Sequence, residues 1–274
     1  IVEPRVLLRA LCPTQPGELE VLGEDAPFWD ELRHAFADEA GPSAATSEPP
    51  AGGGIVEDRR REGFAGVAGD LFSSGEPVLV AVADVPRRRA GLEAVVAGLS
   101  DGPMPVVSWT ALAARPELAA PFEHLVALDP PPGGIRDPLL HATPRAQLAW
   151  GPAEADFALV AYRASLDLRP QLTEVYRALR ELPSDAPAPA LEAALRGPAR
   201  YPRSAAVCAS LLKVLTELGL VEFDRDVPAC RIVEAVRSDL ELSPSFRAAR
   251  DRLEAVEQAL APELPSALPA AATG

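Results

Sequence analysis

The chain has 274 residues, 48% of them hydrophobic and 24% charged. These are ordinary globular proportions, so wholesale disorder is excluded and more than one core can be buried. Basic residues number 26 against 40 acidic ones, a formal net charge of -14, the opposite of the balance a protein built on phosphate contacts usually carries. The acidity is uneven. Leu168 to Leu260 holds 13 Lys+Arg and 14 Asp+Glu, a net of -1, so a nucleic-acid surface is expected in the C-terminal third rather than before it.

The first residue is Ile1, so the chain reads as cut from something longer. Residues 5–11, Arg-Val-Leu-Leu-Arg-Ala-Leu, are strand-like and end at the breaker Pro13. Phe28, Trp29, Leu32 and Phe36 recur at helical spacing and predict a short helix over 27–39. Gly41 to Gly54 is rich in Gly, Pro, Ser and Ala and reads as a linker. From 57 to 166 the pattern alternates between helix and strand. The apolar runs 77–83, 105–109, 124–128 and 147–150 read as strands, with helices expected over 64–72, 88–99, 111–118 and 152–165. Strands apolar on both faces that alternate with helices predict a parallel sheet with helical crossovers, an α/β fold.

The character changes after 166. Leu172, Val175, Tyr176, Leu179 and Leu182 keep helical spacing behind Pro170. Further helices are expected over 189–196 and 204–218. Leu220–Phe223 and Cys230–Val233 then bracket the polar turn Asp224-Arg225-Asp226, a hairpin signature, and Ser243-Pro244 opens a last helix. Three helices followed by a two-stranded wing is the order of a winged helix-turn-helix. A recognition helix over 204–218 should present basic side chains. This one has Arg203 and Lys213, with Arg200 just upstream, among Ala, Val, Cys and Leu. It reads as a better packing surface than DNA-reading surface.

Motifs for chemistry are sparse. Gly52-Gly53-Gly54 has no Lys or Ser/Thr at phosphate-loop spacing. Arg87, Arg88 and Arg89 follow the strand ending at Asp84, where open α/β sheets bind ligands, and basic residues there oppose the helix dipole. They are candidate phosphate contacts, together with Arg200, Arg203 and Lys213. Asp129, before three prolines, reads as a turn former. His34, His124 and His141 belong to no metal-binding motif, and no serine lies in a nucleophile elbow. Catalytic and metal-binding residues are assigned to none. Three scattered cysteines, Cys12, Cys208 and Cys230, suggest a reducing cytoplasm, and the longest apolar stretches are too short to span a bilayer.

Three stretches resemble the C-terminal region of bacterial RecJ-type single-stranded-DNA exonucleases, especially the actinobacterial form. They are Val2–Leu11; Phe64–Leu71 with Val78–Arg89; and Leu211–Val221 with Asp239–Phe246. The resemblance implies an OB-fold remnant and connecting helix over 1–40, a linker over 41–56, and a degenerate, helicase-like RecA domain over 57–166. A winged-helix domain over 167–260 and a disordered tail over 261–274 follow. It implies a non-catalytic role in DNA repair and recombination, guiding single-stranded DNA or docking repair proteins such as a single-stranded-DNA-binding protein or a helicase. The family's Asp-His-His motif for Mn²⁺ or Mg²⁺ does not occur here, so no cofactor is expected in this chain. The competing expectations are a stand-alone winged-helix regulator with an α/β sensor domain, and a small-molecule enzyme using the strand ends at Asp84 and Asp129.

Overall fold

The computed structural model describes residues 18–24, 26–37, 54–99, 102–183, 185–224, 228–233 and 238–264. The strand expected over 5–11 and most of the Gly/Pro/Ser/Ala segment lie outside them. The chain divides into two units: the described residues of Ile1–Gly23, Glu48–Ala161 and Val256–Gly274, and those of Glu24–Ser47 and Tyr162–Ala255.

The first unit is built on a parallel sheet. Its strands are β1 (Leu19–Leu22), β2 (Ile55–Asp58), β3 (Val78–Val82), β4 (Met104–Ser108), β5 (His124–Ala127) and β6 (Arg145–Leu148), in the order β1-β4-β3-β5-β6-β2, every neighbouring pair parallel. The expected α/β class with a parallel sheet is observed. The central strand β3 is buried at all five positions, as its unbroken apolar sequence requires. Helices α2 (Gly63–Ser74) and α3 (Val85–Leu99) supply Val67, Leu71, Leu92 and Val96 to a core with Val78, Val80, Val82, Met104, Val106 and Val126. The short helix α4 (Trp109–Ala114) starts directly from β4, because Ser108 accepts the Ala111 amide in a cap.

Two strands escape the sequence reading. β1 and β2 are edge strands of four residues each, Leu-Glu-Val-Leu and Ile-Val-Glu-Asp, with exposed or half-buried positions throughout. An edge strand has one neighbour and need not be apolar on both faces, so the signal that finds β3 is missing. β6 begins two residues earlier than expected, and Ala149 and Trp150 are buried just beyond its end. The segment read as a tail opens with a 3₁₀ turn, Ala261–Glu263, anchored by Glu263 on Arg60.

The second unit contains α1 (Phe28–Ala37), α6 (Leu168–Glu181), α7 (Ala188–Arg196), α8 (Ala205–Glu217) and the antiparallel hairpin β7 (Val221–Asp224) with β8 (Ala229–Ile232). Helices α5 (Pro152–Leu166) and α9 (Pro244–Leu260) each cross the division between the units. The expected run of three helices and a hairpin is present. Its centre is α8, eight of whose thirteen residues are buried, from Ala205 to Leu215. Ser204 caps its start and Gly219, at φ 67°, turns the chain out of its end. Glu217 then holds the start of α9 through Ser243 and the Ser245 amide and hydroxyl. Phe28, Leu32 and Phe36 of α1 join this core although they precede the rest of the unit by more than a hundred residues. Each such buried side chain contributes about 1.5–3 kcal/mol.

Core truncation should therefore be costly where burial is complete. Leu125→Ala, at 0% exposure, is expected to lower unfolding free energy by about 2–5 kcal/mol. Leu242→Ala, at 71% exposure, should stay within about 0.5 kcal/mol. Urea melts followed by circular dichroism measure both.

Candidate functional site at the carboxyl ends of the strands

The chain leaves β3 toward β4 on one side and returns to β5 on the other, so the direction of winding reverses between β3 and β5. In open parallel sheets the crevice outside the carboxyl ends at such a reversal is where ligands bind. Here Asp129, two residues beyond β5, stands in it at 0% exposure. Its carboxylate accepts the Ala83 amide from beyond β3 at 2.9 Å and the Arg88 Nε at 3.1 Å, and it also pairs with an Arg88 terminal nitrogen. Its own carbonyl accepts the indole N–H of Trp109 at 3.0 Å. The Arg88 guanidinium lies 3.7 Å from the ring centre of Phe157 on α5, a close cation–π stack. The groups at this end of the sheet are thus paired with one another, arginine with aspartate and arginine with an aromatic ring.

This arrangement accounts for the three arginines at the start of α3. Asp84 caps the helix by accepting the Arg87 amide at 2.8 Å, and it pairs with the Arg87 side chain. Asp129 neutralises Arg88. The cationic first turn is thereby matched by two carboxylates and no longer opposes the helix dipole. Arg89 points outward to Glu93 at 3.6 Å, with both side chains about half exposed.

The other three candidate phosphate contacts lie in the second unit. Arg203 is 14% exposed and tied on three sides, to Glu174, to the Gln171 side-chain oxygen at 3.0 Å and to the Leu195 carbonyl at 3.2 Å. Gly197 must be glycine beside it, because its φ is 73° and a Cβ there would sit 2.6 Å from the guanidinium. Arg200 lies 5.4 Å from the Tyr201 ring. Lys213 is half-buried on α8. Arg87–Arg89 form one turn, Arg200 and Arg203 share one loop, and Lys213 stands ten residues further along.

The remaining polar groups serve packing. His124 is buried against Glu76, and His141 contacts the Gly54 carbonyl at 3.1 Å. Gly54 leaves no room for a side chain, since a Cβ would meet the Thr143 carbonyl at 2.7 Å. Burial pushes the Cys208 thiol up to about 12 and Cys230 to about 11, so neither is a ready nucleophile at neutral pH. Among the described residues no group of three or more His, Cys, Asp and Glu is placed to hold a metal ion, and no helix is long and apolar enough to cross a membrane.

Sequence reasoning missed Trp109 and Phe157 as partners of this site, and also the cluster of Arg60, Trp150 and Glu263. In that cluster Glu263 pairs with Arg60 and accepts the Trp150 indole N–H at 3.4 Å. Nothing local marks these residues, because each pairing joins distant parts of the chain. No protein-family model matches the chain, and no curated protein or solved structure matches it significantly.

Burial raises the proton affinity of Asp129 more than Arg88 lowers it, so its carboxyl stands above the usual range. The folded chain then keeps this proton to a higher pH than the unfolded chain. The resulting stabilisation is complete below the unfolded value and is lost as pH rises through the folded one. Urea melts of the wild type and of Asp129→Asn across pH 3 to about 7 test this. The stability of the wild type relative to the variant should fall as pH rises, and a relative gain would contradict the assignment.

Proposed function

We propose that this chain is the non-catalytic C-terminal portion of a RecJ-like 5′→3′ single-stranded-DNA exonuclease acting in DNA repair and recombination in the cytoplasm. In this reading the parallel sheet is a degenerate RecA-like domain and the three helices with their hairpin are a winged-helix domain. The chain's task is to dock repair proteins and, weakly, to guide single-stranded DNA. Mn²⁺ or Mg²⁺ chemistry belongs to the parent's hydrolytic core and not to these residues.

The observation that carries the proposal is the Arg88–Asp129 pair at the carboxyl ends of the strands. A sheet that keeps the ligand-binding topology but commits Arg88, Asp129 and Phe157 to one another there suits a scaffold better than a catalyst. The small-molecule enzyme loses support for the same reason, because Asp84 and Asp129 are committed to Arg87 and Arg88. Docking is favoured over groove reading by α8. Its residues are mostly core, and the outward positions Thr216 and Glu217 add no positive charge. The stand-alone regulator needs a basic α8 face and gains no support.

Two measurements test the proposal. Gel shifts of the chain with single-stranded DNA should show weak binding that steepens as salt is lowered from about 200 to 50 mM. Replacing the exposed Arg89 and Arg200 with Ala should weaken it further. Tight binding to a specific duplex would favour the regulator instead. The chain alone, with Mn²⁺ or Mg²⁺, should not hydrolyse single-stranded DNA, and hydrolysis abolished by Asp129→Asn would overturn the non-catalytic role.

A further inference from the structure

Arg87, Arg88 and Arg203 are engaged inside the fold, but a separate row of arginines on α6 is not. The buried stripe of α6 is Leu168, Leu172, Val175 and Leu179. Arg169, Thr173, Tyr176, Arg177 and Arg180 recur at i, i+4, i+7, i+8 and i+11, so they share a second stripe on the same helix. The three arginines and Thr173 are exposed, and Tyr176 is half-buried at the rim of the core. The guanidinium groups are only loosely engaged. Arg169 stands 3.8 Å from Glu241, with the two side chains 64% and 41% exposed, and 5.3 Å from the Phe246 ring. Arg180 lies 5.9 Å from the Tyr176 ring. Among the described residues Arg177 has no ion-pair partner. No carboxylate lies within the stripe, and Glu174, on its flank, is taken by Arg203. Helix α9 shows the contrast: Arg250 pairs with both Glu241 and Asp251, and Arg247 donates to the Glu241 carbonyl.

We propose that this stripe of α6 is the surface that meets single-stranded DNA, with Arg169, Arg177 and Arg180 on phosphates and Tyr176 stacked on a base. The inference rests on the reading that the chain guides single-stranded DNA, and it names the residues that do so. Three cations on one face make a local positive patch although the chain as a whole is acidic, because charges more than about 10 Å away are largely screened at ordinary salt. From Arg169 to Arg180 the patch runs about 17 Å along the helix axis, room for a short run of nucleotides. Tyr176 decides between partners. An aromatic ring among cations stacks on an unpaired base, whose face a duplex keeps hidden. An acidic protein segment would match the arginines but offer no planar group to the ring.

The probe is a fluorescein-labelled oligothymidylate of about 15 nucleotides, titrated with the full chain and followed by fluorescence anisotropy. At about 50 mM salt the triple variant Arg169→Ala/Arg177→Ala/Arg180→Ala should bind at least about tenfold more weakly than the wild type, and its slope of log K against log salt should be shallower by about 2. Tyr176→Leu should weaken binding by about tenfold and leave the salt slope unchanged, which separates stacking from charge. If the wild type binds and the triple variant, folded by circular dichroism, binds with the same affinity and slope, the assignment to α6 is overturned while the guiding role stands. If the wild type does not bind at about 50 mM salt, both fall. Tighter binding to a duplex of the same length, or displacement of the probe by polyglutamate at equal charge, would assign the stripe to another class of partner and overturn the proposal. Should the triple variant not fold, Arg177→Glu alone decides, because that side chain has no ion pair to lose: weaker binding supports the proposal and unchanged binding overturns it.

Discussion

A carboxylate with no exposure to water must be matched by positive charge and hydrogen-bond donors, or its burial becomes prohibitive. Asp129 is matched by the guanidinium of Arg88 and the backbone amide of Ala83. That one requirement ties the end of β5 to the end of β3 and to the first turn of α3. The stack of Arg88 on Phe157 extends the tie to α5. Four elements are therefore tied together by one ion pair, at the carboxyl ends of the strands where the winding of the sheet reverses. An anion binding Arg88 there would compete with the carboxylate that Arg88 already holds.

The same economy runs through the other cations. Arg203 spans α6 and α7 through Glu174, Gln171 and the Leu195 carbonyl, and Arg60 joins Asp58 to Glu263. Arg196 pairs with Glu192 while lying over Phe28. Of the 26 basic residues only one is lysine. A planar guanidinium bonds in two directions and stacks on a ring at once, which a lysine ammonium does not do. In a chain with 40 acidic residues these arginines act as internal struts. Counting cations along the sequence therefore overstates the charge left for phosphate.

Much of this architecture can be read from the residues, and the reason is burial on both faces. Val78–Val82, Met104–Ser108 and His124–Ala127 lie within apolar runs that only a covered parallel strand tolerates. Leu168, Leu172, Val175 and Leu179 repeat at helical spacing because one stripe of α6 meets the core. What the residues hide is long-range pairing. Arg88 lies 41 residues from Asp129 in sequence, and Trp150 lies 113 residues from Glu263. No local pattern records such distances. The edge strands fail for the complementary reason: with one neighbour each, Leu19–Leu22 and Ile55–Asp58 carry half the apolar signature of an interior strand.

Helix α1 shows where a correct local reading leaves an architectural question open. Phe28, Leu32 and Phe36 announce an amphipathic helix, and the helix is there. Its spacing says that the stripe will be covered but not by what. Sequence order suggests a partner among the neighbouring strands, whereas the covering surface comes from α7, α8 and β7, encoded after residue 187. An apolar stripe specifies a complementary groove and carries no address for it. A helix whose partner lies so far along the chain is held by side-chain complementarity rather than by short connections.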